Sequence, residues 1–220
     1  MRPGDCHSGG SSGLHDNGDL VPGYLTLLND FWQYFETVAA PRLAHREATF
    51  RQTFAYLDKL ADPLIIIETG SMRTLDNWAG DGQSTLLFDR YVQQRQVGQV
   101  HTLDINPQCR PWVSQHVSVY TEDSVAGLHR LAQRPWPTQA SFMFYLDSFD
   151  VDFQNPYPSA AHHLKELVAI APLLSPDTLV VVDDSPAQPR GKGFLVAEYA
   201  QAIGAKILFH DYQLGITQLR

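Results

Sequence analysis

The stretch PLIIIETGS, residues 63–71, joins a short apolar run to an acidic residue and a glycine. The apolar residues 64–67 predict a strand buried on both faces, as strands of parallel sheets are. Glu68 follows this run, and Gly70 allows the backbone to turn sharply where the strand ends. The stretch therefore predicts the first strand of a parallel sheet, with polar groups at its carboxyl end.

Similar apolar runs recur at regular intervals along the chain. Strands are predicted at residues 100–105, 117–120, 142–146 and 179–182, with helices at 84–95, 122–133, 159–173 and 191–204. Alternation of this kind predicts parallel strands joined by right-handed crossovers. Residues 206–210 and 213–218 are joined by too few residues for a helical crossover, so one of them runs antiparallel. The predicted fold is α/β: a Rossmann-like doubly wound sheet, mostly parallel, with an antiparallel C-terminal strand.

Three regions are predicted along the chain. Residues 1–20 are polar and rich in glycine and serine, which predicts a disordered tail. Residues 21–60 show apolar positions at three- and four-residue steps and predict two helices, divided near Pro41, that pack on the sheet or form a lid. Residues 61–220 form the α/β core.

Composition narrows the classes of partner. The 24 acidic residues outnumber the 16 basic ones, for a net charge of -8, which argues against nucleic acid. No apolar run is long enough to cross a membrane and the start lacks a signal peptide, so a cytoplasmic protein is expected. Cys6 and Cys109 have no metal-binding spacing and are interpreted as ordinary thiols. Homo-oligomerisation stays open.

Acidic residues follow four of the predicted buried strands. They are Glu68, Asp104, Asp147 and the pair Asp183-Asp184. A carboxylate at the carboxyl end of a buried strand faces the crevice in which α/β sheets bind ligands, because the core does not tolerate an unpaired charge. The loop GDGQST, residues 80–85, adds glycines before a predicted helix start, where free N–H groups can meet a ligand.

Five segments together resemble the class I S-adenosylmethionine-dependent methyltransferases. They are Glu68-Thr69-Gly70, Thr102-Leu103-Asp104, residues 121–124, Tyr145-Leu146-Asp147 and Val182-Asp183-Asp184. The resemblance spans residues 64–219 and implies S-adenosylmethionine as cofactor. It implies that Glu68, Gly70 and Ser71 lie at the methionine portion, Asp104 at the ribose, and Asp123 and Ser124 at the adenine. Gly82, in a loop longer than the family's compact form, is a further cofactor-binding candidate.

The acids Asp147, Asp183 and Asp184 resemble the metal triad of the metal-dependent O-methyltransferases, which include catechol-type and macrolide-sugar enzymes. Neighbouring strands lie about 4.8 Å apart, so such acids can meet around one ion, and their repulsion requires a cation. Oxygen ligands favour Mg²⁺ or a similar divalent cation. The resemblance implies that the ion orients an acceptor hydroxyl.

The resemblance also implies catalytic roles for Asp147 and Asp150. Asp150 lies three residues after Asp147, where related enzymes carry a proton-accepting group, and Asp152 and the pair His162-His163 are alternatives. Gly191-Lys192-Gly193 lacks the spacing of a phosphate-binding loop and is interpreted as a flexible helix entrance.

The sequence thus favours methyl transfer to a hydroxyl of a small molecule, such as a sugar or secondary metabolite, assisted by a divalent metal. N- or C-methylation stays open. A nicotinamide dehydrogenase is disfavoured because GxGxxG is absent and Asp104 lies far beyond the usual spacing from Gly70. A non-catalytic nucleoside-binding or assembly protein with the same fold is the alternative.

Overall fold

A seven-stranded sheet forms the centre of the chain in a computed structural model that describes residues 30–220. The strands are β1 (Leu64–Thr69), β2 (Gly98–Asp104), β3 (Val117–Thr121), β4 (Ser141–Leu146), β5 (Leu179–Val182), β6 (Lys206–His210) and β7 (Leu214–Thr217). Their order is β3-β2-β1-β4-β5-β7-β6. Strands β1 to β5 pair in parallel, and β7 is antiparallel to both of its neighbours. The predicted fold class is confirmed.

Helices cover both faces of the sheet. They are α1 (Phe31–Tyr34), α2 (Glu47–Leu57), α3 (Trp78–Asp81), α4 (Ser84–Arg95), α5 (Ser124–Ala132), α6 (Tyr157–Ile170) and α7 (Phe194–Ala202). Ile66 packs in one apolar cluster with residues of α2 and α4, whereas Ile65 and Ile67 pack in a second cluster with residues of α5, α6 and α7. Covering both faces explains why β1 is a continuous apolar run.

The segment before β1 packs on the first of these clusters. Phe31 and Phe54 lie 4.5 Å apart between ring centroids, and Phe54 also contacts Phe88 of α4. Instead of two regular helices divided near Pro41, α1 continues into a π-helical turn, Phe35–Ala39, and two 3₁₀ turns before α2. The predicted tail, residues 1–20, and residues 21–29 lie outside the described residues.

The sheet reverses its strand order at β1, which lies between β2 and β4. Gly70 follows β1 with φ +76°, and a Cβ added there would lie 2.4 Å from the carbonyl oxygen of Asp147. Glycine is therefore required for β1 and β4 to end this close together. Among residues 30–220, no helix combines the length and hydropathy that crossing a bilayer requires.

Candidate functional site

Two adjoining cavities open at the carboxyl edge of the sheet, where the strand order reverses. One has a volume of about 470 Å³ and the other about 300 Å³, and both are lined by Gly70, Asp104 and Ser148. The larger extends toward Asp147 and the end of β5, and the smaller extends toward the start of α5. Ligands of doubly wound sheets bind in this kind of crevice.

Asp104 stands between the two cavities with its carboxylate fixed by backbone donors. The N–H of Ser71 donates to Oδ2 at 3.0 Å, and the N–H of Asn106 donates to Oδ1 at 2.7 Å. Gly70 N–H donates to the carbonyl of Leu103 at 2.9 Å, which holds the loop after β1 beside the end of β2. A carboxylate fixed in this way can accept hydrogen bonds from a vicinal diol.

Asp123 and Ser124 line the smaller cavity at the start of α5. Asp123 caps the helix by accepting a hydrogen bond from Ala126 N–H at 2.9 Å. The hydroxyl of Ser124 lies 2.8 Å from Nε2 of His162 and 3.2 Å from the hydroxyl of Ser148. The predicted adenine residues and the predicted ribose residue therefore border one continuous space.

A buried carboxylate, Glu166, supports this wall from behind. It accepts a hydrogen bond from Ser148 at 2.7 Å and lies 3.5 Å from Nε2 of His162. Burial alone would raise its pKa, but His163 and the surrounding hydrogen bonds lower the pKa of Glu166 to about 2. The charged carboxylate therefore fixes the groups that face the smaller cavity.

Glu68 lies deeper in the sheet than the strand-end acids that line the cavities. It is fully buried and does not line either cavity. In the strand register it lies level with Tyr145, two rows deeper than Asp147. Three hydroxyls donate to it: Ser84 at 2.5 Å, Thr85 at 2.7 Å and Thr102 at 2.6 Å. Burial raises the pKa of Glu68 to about 7. Through its three hydroxyl partners, this side chain joins β1, β2 and α4 beneath the site.

The long loop after β1 contributes Gly80 and Asp81 to the larger cavity. Gly82, at the end of α3, has φ +67°, and a Cβ there would lie 2.9 Å from Cδ of Arg46. Gln83 is buried and binds the backbone of Thr74 and Asp76 within the loop. Gly82 therefore gives room to the Arg46 side chain, whereas Gly80 and Asp81 line the cavity.

Asp147, Asp183 and Asp184 meet at the end of β4 and β5. Each offers a carboxylate oxygen, and these atoms lie within 4.8 Å of one another. The register that pairs Leu146 with Val182 continues to bring Asp147 beside Asp183. The structure thus assembles the three acids that the sequence grouped.

Two buried cations, which the sequence analysis did not include in the cluster, bind these acids. The Arg46 guanidinium donates from Nε to Asp183 at 2.8 Å and from Nη2 to Asp184 at 3.0 Å. Lys192 Nζ binds Oδ1 of Asp147 and lies 3.1 Å from Oδ2 of Asp184. Arg46 is 5% exposed and Lys192 is 1% exposed.

The electrostatics keep both cations charged. Burial opposes the charge on Lys192, but Asp147 and Asp184 raise its pKa above the usual lysine value. Burial alone would raise the pKa of Asp184, but Lys192, Tyr212 and Arg46 lower it. The chain therefore neutralises most of the negative charge of the acidic cluster with its own side chains.

The Gly191-Lys192-Gly193 turn, which the sequence analysis interpreted as a flexible helix entrance, places Lys192 on the acids. A Cβ at Gly191 would lie 2.0 Å from the carbonyl oxygen of Asp184, and one at Gly193 would lie 2.6 Å from the hydroxyl of Ser185. The two glycines let the turn fold back onto the end of β5, which buries Lys192. The sequence around Arg46 contains no comparable pattern that would place this residue near the acids.

The candidate bases occupy different environments. Asp150 lines the larger cavity with its side chain 82% exposed, and Arg73 lies 3.6 Å away. Asp152 is exposed and accepts a hydrogen bond from Gln154 N–H outside both cavities. His162 lines the smaller cavity, and His163 is fully buried in α6. Of these four candidates, Asp150 is therefore the one that lines the larger cavity, together with Asp147 and Asp184.

Comparisons with known proteins concern the fold. No protein-family model matches the chain, and no curated protein matches it in sequence. The MycE methyltransferase from the mycinamycin biosynthetic pathway, in complex with Mg and SAH, is similar at 16% identity and a TM-score of 0.54. A MycE complex that also contains mycinamycin VI is similar at 16% identity and a TM-score of 0.53. Both matches cover 78% of the present chain and 49% of the MycE chain, so the present chain spans about half the length of MycE. Together with the observed strand order, these similarities show that the chain has the class I methyltransferase fold.

Proposed function

We propose that the chain transfers a methyl group from S-adenosylmethionine to a hydroxyl of a small molecule. The observation that carries this proposal is Asp104, held by two backbone N–H groups between two adjoining cavities at the switch point of a class I methyltransferase fold. The MycE complex contains Mg, SAH and mycinamycin VI, and the last two of these motivate the cofactor and the class of acceptor.

The cofactor would bind across both cavities. Asp104 accepts the hydrogen bonds of the ribose hydroxyls, and Asp123 and Ser124 border the adenine in the smaller cavity. Gly70 and Ser71 lie beside the methionine portion, because they line the larger cavity next to Asp104. Glu68 acts from beneath, since its three hydroxyl partners fix the positions of β1, β2 and α4.

The acceptor would occupy the part of the larger cavity bordered by Asp147, Asp150 and Lys192. Its hydroxyl oxygen attacks the methyl carbon, so a C–O bond forms as the C–S bond breaks and the cofactor leaves as SAH. The hydroxyl proton passes to a carboxylate, for which exposed Asp150 is the candidate. Positioning of oxygen and methyl in one cavity supplies most of the acceleration.

A divalent ion at Asp147, Asp183 and Asp184 meets the requirement of spacing but not that of free ligand atoms. Both carboxylate oxygens of Asp183 accept hydrogen bonds from Arg46. One oxygen of Asp184 accepts a hydrogen bond from Arg46, and the other forms an ion pair with Lys192. The donor set as it stands does not fit a bound Mg²⁺, because the ion would have to displace buried cations. No step of the proposed reaction is assigned to a metal.

Calorimetric titration with S-adenosylmethionine tests the proposal. Wild-type protein is expected to bind it, and NADH is expected not to bind. Asp104→Asn should weaken binding by roughly 10- to 100-fold, because hydrogen bonds to a charged group are lost. Asp177→Asn, an exposed change at the opposite end of β5, is the matched control. Failure of wild-type protein to bind S-adenosylmethionine would remove the proposal, and unchanged affinity in Asp104→Asn would remove the ribose assignment.

A further inference from the structure

The acidic cluster at the ends of β4 and β5 already contains its counter-ions. We propose that Lys192 and Arg46 take the place of a divalent cation at Asp147, Asp183 and Asp184, so that the site works without a bound metal. The catalytic part of this inference rests on the proposed function, whereas the charge balance does not depend on it.

Lys192 occupies the bridging position that an ion would need. Its Nζ contacts Asp147 after β4 and Asp184 after β5, and so links the ends of the two strands. Arg46 holds Asp183 and Asp184 from the other side, and Gln213 donates to Oδ1 of Asp183 at 3.0 Å. Of the six carboxylate oxygens of these three acids, only Oδ2 of Asp147 has no partner among residues 30–220, and one oxygen does not make a hard-cation site.

The fold fixes Lys192 in this position through the backbone. Lys192 N–H donates to the carbonyl of Asp184 at 2.8 Å, and Gly193 N–H donates to the hydroxyl of Ser185 at 2.8 Å. The Gly191 contact with Asp184 described above leaves no room for a larger residue in this turn. The ammonium is therefore built into the site, in contrast to a surface lysine that moves aside when an ion arrives.

Arg46 is held equally firmly. Nη1 donates to the carbonyl of Ala79 at 3.2 Å, and the guanidinium lies 4.8 Å from the centroid of the Tyr212 ring. Gly82 provides the space for its aliphatic part. Removing either cation would leave a buried carboxylate uncompensated, which is strongly unfavourable.

The position of Lys192 also suits the proposed chemistry. Lys192 lines the larger cavity, and two of the N–H groups on Nζ are used by Asp147 and Asp184. Only a weak contact of 3.5 Å, to the carbonyl of Asp147, competes for the third. That N–H can donate to the acceptor oxygen, the orienting role otherwise served by a metal.

Mn²⁺ binding followed by electron paramagnetic resonance tests the inference without reference to activity. Wild-type protein is expected to leave the signal of free Mn²⁺ unchanged. Lys192→Met, which keeps the length and removes the charge, is expected to bind Mn²⁺, and binding should be lost again when Asp147→Asn is added. Lys165→Met, an exposed lysine on α6, is the matched control and should bind none.

Several results would overturn the inference. If wild-type protein binds Mn²⁺ and the Asp147→Asn variant does not, the three acids form a metal site despite Lys192. A folded Lys192→Met that binds no Mn²⁺ shows that Lys192 does not occupy the place of an ion. If Lys192→Met fails to fold, the wild-type titration decides alone: Mn²⁺ binding abolished by Asp147→Asn overturns the inference, and absence of binding supports it.

Calorimetry in the presence of EDTA separates this inference from the proposed function. S-adenosylmethionine is expected to bind wild-type protein equally with EDTA and with Mg²⁺, and methyl transfer should be equal in both. Transfer that stops on chelation and returns with Mg²⁺ overturns the metal-free site. Failure of S-adenosylmethionine to bind in either buffer overturns the proposed function, while the Mn²⁺ experiment still judges the charge balance.

Discussion

Replacing Glu68 by glutamine should stabilise the chain relative to wild type, and this gain should be larger at neutral pH than at acidic pH. Glu68 is fully buried, and its pKa is raised by burial to about 7 from an ordinary value of 4.5. In the unfolded chain the side chain loses its proton near pH 4.5, whereas in the folded protein it keeps the proton until about pH 7. The folded state therefore binds more protons across this window, and its stability falls as pH rises.

The magnitude follows from the difference between the two pKa values. A difference of about 2.5 pKa units corresponds to about 3.4 kcal/mol, because each unit is worth 1.36 kcal/mol. Wild-type protein should lose about 3 kcal/mol of unfolding free energy between pH 4.5 and pH 7 through this group. Glu68→Gln does not titrate and can still accept from one of the hydroxyls of Ser84, Thr85 and Thr102.

Chemical denaturation of the ligand-free protein at several pH values from 5 to 8 measures this effect. The stability of Glu68→Gln minus that of wild type should increase with pH and level off above pH 7. Glu198→Gln, the same change on an exposed side chain of α7, is the control. Parallel stability curves would refute the reasoning, since they would mean that the three hydroxyl donors outweigh burial and keep Glu68 charged.

Two further predictions concern packing. Gly70→Ala should lower the free energy of unfolding by about 1–3 kcal/mol and weaken S-adenosylmethionine binding, because Gly70 has φ +76° and its added Cβ would lie 2.4 Å from the carbonyl oxygen of Asp147. Gly204→Ala is the control for backbone strain, since Gly204 has φ +73° but no atom within 4 Å of its added Cβ. In urea denaturation it should lose less stability than Gly70→Ala. Phe54→Ala should lower the free energy of unfolding by about 3–5 kcal/mol by the same measurement, because Phe54 is fully buried among aromatic rings. Val168→Ala, at a site 68% exposed, should change it by no more than about 0.5 kcal/mol. Equal losses of stability within either pair of variants would contradict the packing argument.

Most of the sheet could be predicted because its signals are local. The apolar runs that became β1, β4 and β5 are covered on both faces, so each appears as an uninterrupted stretch in the sequence. The segment before β1 was harder, because π and 3₁₀ turns do not repeat every 3.6 residues. Its apolar positions were recognised, but the route of the backbone around Pro41 was not.

The site could be predicted only where the topology alone fixes position. Asp104 and Asp147 fall at the carboxyl edge because they come at or after the last strand residue. Glu68 was grouped with them, but the pairing of Glu68 with Tyr145 puts it deeper in the sheet, under α4. A difference of two rows in register separates a side chain that faces a ligand from one that supports the wall, and sequence spacing does not resolve it.

The charge balance of the acidic cluster shows where pattern-based prediction ends in this chain. Three acids at neighbouring strand ends require positive charge, and the sequence analysis expected an external divalent ion to supply it. The structure provides two from outside the strands: Arg46, which precedes β1, and Lys192, which follows β5. Arg46 and Asp183 are 137 residues apart, so no periodicity links them. In this chain, the residues that supply positive charge to the acids therefore lie on the segments around the sheet and not on the strands that carry the acids.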